Sequence, residues 1–161
     1  VIEDVQTVNK IIVMLNNISD EIIKDSFLFD FYKDDKRKIT KFNVNNSWIV
    51  RQFQNEYNPT HWHSGHISGA GFLKVPKNLG EHKQKLKKTQ YTGGSLQLIH
   101  GSKMFLCEST FTIKPEVGDF YFFPNYLMHT VYPFNNSDEE RRSISFNANI
   151  DNNIYDVYSR G

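Results

Sequence analysis

The chain has few cysteines, almost no net charge and no long apolar run. Its one cysteine, Cys107, excludes an internal disulfide, and its apolar neighbours Met104, Phe105 and Leu106 indicate a buried strand residue in a reducing setting. We therefore expect a cytoplasmic protein. Nineteen basic and 18 acidic residues give a formal charge of +1, which indicates neither nucleic acid nor a membrane as partner.

No apolar run approaches the ~20 residues of a membrane-spanning helix. The start of the sequence lacks the basic-then-apolar pattern of a signal peptide. The sequence begins at Val1 rather than at methionine, which leaves room for residues upstream.

At 161 residues, the chain is predicted to form a single domain, 1–161, with a proper core. Apolar residues recur every three or four positions from Val5 to Ile23, the pattern of an amphipathic helix. Asn16 and Asn17, followed by the cap signal Ser19-Asp20-Glu21, can split this pattern into two helices. We expect one or two helices, over about 1–28, to cover one face of a sheet.

Beyond residue 39 the pattern becomes that of a mainly β protein. The 13 Phe and 8 Tyr favour strands, and Gly, Pro and Asn turns separate about eight short candidates. This pattern predicts a β core over about 39–150, built as a sandwich or jelly roll. The predicted strands are 39–44, 48–57, 67–75, 95–100, 103–113, 120–123, 130–134 and 141–150.

A long connection, 76–94, interrupts these strands and is rich in lysine. A loop of this length in a compact domain is usually functional or irregular. It is either a solvated charged loop or a lid that attracts an anionic partner.

The candidate chemistry begins with His61 and His63. If this stretch is a strand or strand end, both imidazoles point to one side and Trp62 points to the other, where we expect it to pack. Two converging imidazoles suit a first-row metal ion. The alternative is a pair of surface or hydrogen-bonded histidines after Pro59. His129 follows an apolar strand, 120–123, and is the residue that could join them.

Alternation within the last strand separates two faces. Arg141, Ser143, Ser145 and Asn147 share one face, and Arg142, Ile144 and Phe146 share the other. A guanidinium with a hydroxyl two residues on is suited to holding a carboxylate.

These residues resemble the iron(II)- and 2-oxoglutarate-dependent oxygenases, in particular the small bacterial and phage-type branch near the prolyl 4-hydroxylases. The resemblance covers most of the chain from residue 58 on, in the order the family expects. The matching segments are NPTHWHSGHISGAGFLKVP (58–76), GGSLQL (93–98), KPEVGDFYFFPNYLMHTVYPF (114–134) and RRSISFN (141–147).

The resemblance implies a double-stranded β-helix, or jelly roll, with Fe(II) held by His61, His63 and His129. It also implies that Arg141 and Ser143 bind the distal carboxylate of 2-oxoglutarate, with Arg142 as the competing anchor. The implied reaction uses O2, converts 2-oxoglutarate to succinate and carbon dioxide, and hydroxylates a bound small-molecule or peptidyl substrate, such as a peptidyl proline or another amino-acid side chain.

His63 departs from the family pattern, because the usual triad is two histidines and one carboxylate. Three histidines also suit a zinc hydratase or a cupin-like metalloenzyme that does not use 2-oxoglutarate. A non-enzymatic jelly-roll binding module is a further alternative. His66 is expected to be an outer-sphere or turn residue, and Tyr57 and Tyr121 are expected in the core rather than at the co-substrate. The sequence indicates neither the substrate nor the oligomeric state.

Overall fold

The structure is a computed structural model that describes residues 9–10, 12–13, 16–17, 39–84, 86–106 and 108–159. The first three pairs have helical backbone. The remainder of the predicted helical cover, and Cys107, lie outside the described residues. None of the described helices is long and apolar enough to cross a membrane.

The described core is mainly β and consists of two four-stranded antiparallel sheets. The first sheet has the order β1-β8-β3-β6 and the second has the order β2-β7-β4-β5. This architecture is consistent with the predicted jelly roll. The strands are β1 (Phe42–Gln52), β2 (Asn58–His61), β3 (Ile67–Lys74), β4 (Leu96–Ile99), β5 (Thr110–Ile113), β6 (Phe120–Pro124), β7 (Met128–Val131) and β8 (Arg141–Ile150).

A cluster of apolar side chains joins the two sheets. Phe72 and Phe123 from the first sheet pack with Leu96 and Ile113 from the second, and all four are buried. Each buried side chain of this size contributes about 1.5–3 kcal/mol relative to an exposed one. The cluster therefore fixes the sheets face to face.

A second cluster lies on the other face of the first sheet. Phe146 and Ala148 of β8 are buried there with Phe42 of β1. Ile12 also packs against this cluster. This contact puts one described helical residue against a face of the first sheet.

Helix α1 (Asn152–Ser159) follows β8 directly and is tied to the start of β1. The Asp151 carboxylate accepts hydrogen bonds from the Thr40 amide at 2.7 Å, the Thr40 hydroxyl at 2.7 Å and the Lys41 amide at 2.9 Å. Ile154 is buried on the inner side of the helix. These contacts set the direction in which α1 leaves the sheet.

Several predicted strand bounds are wrong. The predicted strands 39–44 and 48–57 are one strand, β1, because a bulge between Val44 and Asn46 carries the chain past the asparagines. The predicted strand 103–113 begins only at Thr110, since Phe105 and Leu106 are exposed in a loop. Strand β7 begins at Met128, ahead of the predicted 130.

Candidate metal centre and co-substrate cavity

The three candidate histidines come together at one end of the second sheet. His61 is the last residue of β2, and it pairs in register with His129 of β7. His63 lies just beyond the strand end. The possible ligand atoms of the three side chains lie within 4.8 Å of one another, so they could hold one metal ion.

The separation of two ring nitrogens fits a shared ion. The Nε2 atoms of His63 and His129 are 3.1 Å apart. Two imidazole nitrogens each about 2.1 Å from a metal, at roughly right angles, would be about 3 Å apart. This pair of nitrogen atoms is therefore spaced as two ligands of one first-row metal ion would be.

Backbone carbonyls orient two of the rings. His61 Nδ1 lies 2.6 Å from the Pro59 carbonyl oxygen, and His129 Nδ1 lies 2.9 Å from that of Leu127. A carbonyl can only accept, so each Nδ1 carries the proton and each Nε2 is left with its lone pair. Metal-binding histidines are commonly oriented by such outer contacts.

Two of the three histidines, His63 and His129, have lowered pKa values. Burial, together with the nearby His129 and His61, lowers the pKa of His63 to about 4. Burial also lowers the pKa of His129, against the hydrogen bond to Leu127, which raises it. His63 and His129 are therefore neutral at pH 7, which is the form that binds metals.

Arg141 opens β8 and is almost fully buried, with 1% of its surface exposed. Its Nε donates to the Gly94 carbonyl oxygen at 2.9 Å, and its guanidinium lies 5.1 Å from the centre of the Phe72 ring. Burial lowers the pKa of Arg141 to about 10, so it stays charged at pH 7. No carboxylate of the described residues forms an ion pair with it.

The Arg142 side chain does not line the cavity that Arg141 lines. Its Nη2 lies 2.8 Å from Glu140, which also binds Arg51 at 2.7 Å. Both arginines lower the pKa of Glu140 to about 2. Arg142 is thus engaged in a charge cluster on the outer side of β8, and its cationic charge has a partner.

One cavity of about 260 Å³ joins the histidines to Arg141. The histidines belong to the second sheet and its end, whereas Arg141 and Ser143 belong to the first. The volume is near the lower end for small-molecule sites, about 300–1,000 Å³. Its lining includes the three histidines, Arg141, Ser143, Ser145, Trp48, Gln52, Tyr57 and Phe72.

Some of these lining residues were not predicted. Trp48 contacts His63 edge to face, with ring centres 5.3 Å apart. Gln52 pairs in register with Arg141, and its amide oxygen has no partner among the described residues. Alternation along β1 places both on the cavity side, but the sequence offered no reason to choose that face.

The sequence predicted that three aromatic side chains, Trp62, Tyr57 and Tyr121, would be packed in the interior. Trp62 is 65% exposed, so its predicted packing role is wrong, because the chain turns out of β2 at this point. Tyr57 is also largely exposed and lines the cavity rather than the core. The prediction for Tyr121 is confirmed, since it packs against the cluster between the sheets.

Among its described residues, the lysine-rich connection contacts the site at its end. Gly94 supplies the carbonyl that holds Arg141. Near its start, the connection is fastened to Asn135, which accepts from Glu81 N at 3.2 Å and donates to Glu81 O at 3.1 Å. None of the described residues from 76 to 93 lines the cavity, and a lid function stays a prediction.

The fold and site define a jelly-roll-like protein with a possible metal centre opposite a buried cation. Residues 46–147 match the model of a family described as "Putative 2OG-Fe(II) oxygenase". The chain belongs to this 2-oxoglutarate/iron(II) oxygenase family.

A solved structure has a similar fold. It is an oxidoreductase of the 2OG-Fe(II) oxygenase family from Burkholderia pseudomallei, 12% identical, with a TM-score of 0.50. The match covers 76% of this chain and 48% of that one, so this chain spans about half the length of its neighbour. No curated protein sequence matches this chain.

Proposed function

We propose that this protein is an Fe(II)- and 2-oxoglutarate-dependent dioxygenase that hydroxylates a small-molecule or peptidyl substrate. The observation that carries the proposal is the buried guanidinium of Arg141, which lines the same cavity as the three histidines. A buried charge is costly unless it is paired. A bound carboxylate would supply the missing partner.

In this proposal His61, His63 and His129 hold the ferrous ion through their Nε2 atoms. Backbone carbonyls keep the Nδ1 protons of His61 and His129 away from the metal. The metal and co-substrate together supply the oxidation, in which O2 and 2-oxoglutarate yield succinate and carbon dioxide while a substrate C–H becomes C–OH.

Arg141 acts as the anchor for the distal carboxylate. Its Nε is occupied by Gly94, which leaves the terminal nitrogens to donate to a carboxylate. Ser143, two residues along the same face, is buried and lines the same cavity, so its hydroxyl can donate to the second oxygen. The anchor and the metal ligands lie on different sheets, a placement that suits a ligand with a carboxylate at each end.

The choice of Arg141 over Arg142 follows from their surroundings. Arg142 is already paired with Glu140, and a carboxylate there would compete with an existing ion pair. Arg141 has no such competitor among the described residues.

The test is anaerobic addition of Fe(II), then 2-oxoglutarate, to the purified protein, followed by visible spectroscopy. A weak charge-transfer band that needs both additions would support an iron centre that chelates the 2-oxo acid. Bound iron with no band, and no affinity for 2-oxoglutarate by calorimetry, would contradict the proposal.

A second candidate function is a three-histidine metalloenzyme that does not use 2-oxoglutarate. It is favoured by His63, which puts a neutral imidazole where this family usually has a carboxylate. The substitution leaves one more positive charge at the metal and changes its redox behaviour. Metal binding without 2-oxoglutarate binding would favour this candidate.

A further inference from the structure

We infer that Asn125 is a positioning residue for His63 and that Tyr155 of helix α1 acts through it. This inference rests on the proposed metal-binding role of His63. Strand β2 ends at His61, so the hydrogen bonds of the sheet no longer hold the backbone of His63. Something else must fix that backbone if the imidazole is to share an ion with His129.

Asn125 holds the His63 backbone on both sides. The His63 amide donates to the Asn125 carbonyl oxygen at 3.0 Å, and the Asn125 side-chain Nδ2 donates to the His63 carbonyl oxygen at 3.1 Å. The two residues are 62 positions apart in sequence. Together the bonds replace the ladder that stops at His61.

The turn that carries Asn125 also serves His129. Pro124 to Leu127 form a tight turn, in which the Leu127 amide donates to the Pro124 carbonyl oxygen at 3.0 Å. The Leu127 carbonyl accepts from His129 Nδ1. One turn between β6 and β7 therefore orients two of the three histidines.

Helix α1 supports the turn from outside. The Tyr155 hydroxyl lies 3.2 Å from Asn125 Oδ1 and can donate to it. An Asn125 amide that accepts through Oδ1 must aim its Nδ2 hydrogens the other way, toward His63. The hydrogen bond from Tyr155 therefore favours the orientation of the Asn125 side-chain amide in which Nδ2 faces the His63 carbonyl oxygen.

His66 fixes Tyr155 in turn. The two rings stack with centres 3.9 Å apart and planes 7° apart. The His66 carbonyl oxygen accepts from the Asn125 amide at 3.1 Å, and Ile150 N donates to His66 Nδ1 at 3.1 Å. His66 thus contacts the residues that support His63 and lies outside the three-histidine cluster.

Two variants test the inference in the intact chain. Asn125→Ala removes the side-chain amide and leaves the backbone bond to His63 possible. Tyr155→Phe removes only the hydroxyl and keeps the ring stacked on His66. Tyr126→Phe is the control for the second variant, since it removes a hydroxyl from an exposed tyrosine of the same turn. Asn78→Ala is the control for the first, because that asparagine supports a different turn, at Gly80.

The first readout is binding of Co(II), used as a visible probe. Loss of outer contacts typically weakens metal binding about 10–100-fold. We expect about a tenfold loss and a changed Co(II) spectrum for Asn125→Ala, a smaller loss for Tyr155→Phe, and no change in the controls. Wild-type affinity and spectrum in both variants, with only a lower melting temperature, would overturn the inference.

The second readout needs no metal. Hydrogen exchange of the His63 amide, measured by NMR in the metal-free protein, should be faster in both variants than in the controls. If the wild type binds no Co(II), the proposed metal function fails and this exchange rate decides the positioning role alone. Unchanged exchange at His63 would overturn it.

Discussion

Arg141 and Arg142 are adjacent in sequence and opposite in environment. The first lies 5.1 Å above the Phe72 ring inside the cavity, and the second pairs with Glu140 at 2.8 Å on the outer side of the same strand. Strand β8 thus presents to the interior a cation that has no anionic partner among the described residues, and to solvent a cation that is paired. Only the inner one is available to a bound anion.

Arg141→Ala should remove most of the affinity for 2-oxoglutarate, while Arg142→Ala should leave it unchanged. Deleting one partner of a buried charge pair typically costs about 2–5 kcal/mol of binding free energy. Calorimetric titration of 2-oxoglutarate into the iron-loaded variants, without oxygen, measures this loss of affinity. Arg141→Lys, which keeps the charge but not the planar fork, should show an intermediate loss. Equal affinity in all four proteins would refute the anchor assignment.

Ser143→Ala should weaken 2-oxoglutarate binding modestly. A single neutral hydrogen bond contributes about 1 kcal/mol, which corresponds to roughly a fivefold loss. The same titration applies, with Ser102→Ala in an exposed loop as the control. A loss as large as that of Arg141→Ala would show that Ser143 does more than donate one hydrogen bond.

Replacing either strand histidine should remove the metal site. His61→Ala and His129→Ala each delete one of three possible ligands, so Co(II) affinity should fall by more than the ~10–100-fold typical of outer contacts. His100→Ala, outside the cluster, serves as the control. Circular dichroism verifies that the variants are folded. Full Co(II) binding by both folded variants would exclude a shared three-histidine site.

The stability of the metal-free protein should fall as the pH drops from about 6.5 to about 4. The folded pKa of His63 is about 4, against about 6.5 unfolded, so between these values the unfolded chain binds the extra proton. The folded state has its full stability above pH 6.5 and loses part of it progressively as the pH falls to about 4. Urea unfolding at several pH values measures this slope.

His63→Gln is the matched variant for that experiment, since it cannot titrate. Its stability should vary less with pH than that of the wild type between 6.5 and 4. The paired Glu140, with a pKa of about 2, acts in a lower window, from about 4.5 down to 2. An identical slope for both proteins above pH 4.5 would mean that His63 does not carry the effect.

Strand alternation predicted the part of the site that lies within regular strands. The polar and apolar faces of β8 were separated correctly, since Arg141, Ser143 and Ser145 line the cavity and Phe146 packs on the other side. A period of two is a local property, so the sequence displays it directly.

The parts outside strands could not be predicted in the same way. His63 was expected to follow strand alternation, but it lies past the end of β2, and Asn125 from a distant turn holds its backbone. The bulge at Val44 likewise let one strand run through asparagines that normally mark a turn. Both features depend on contacts between segments far apart in sequence, which local patterns do not encode.

Because the cavity lies between the sheets, the site is complete only when the two sheets have packed together. His61 and His129 meet only when β2 pairs with β7, and Arg141 faces them only after the first sheet packs on the second. Contacts this distant in sequence form slowly, because the intervening chain must first be closed into loops. A ligand bound between the sheets stabilises the assembled state by mass action, so its binding would also report that the two sheets have packed together.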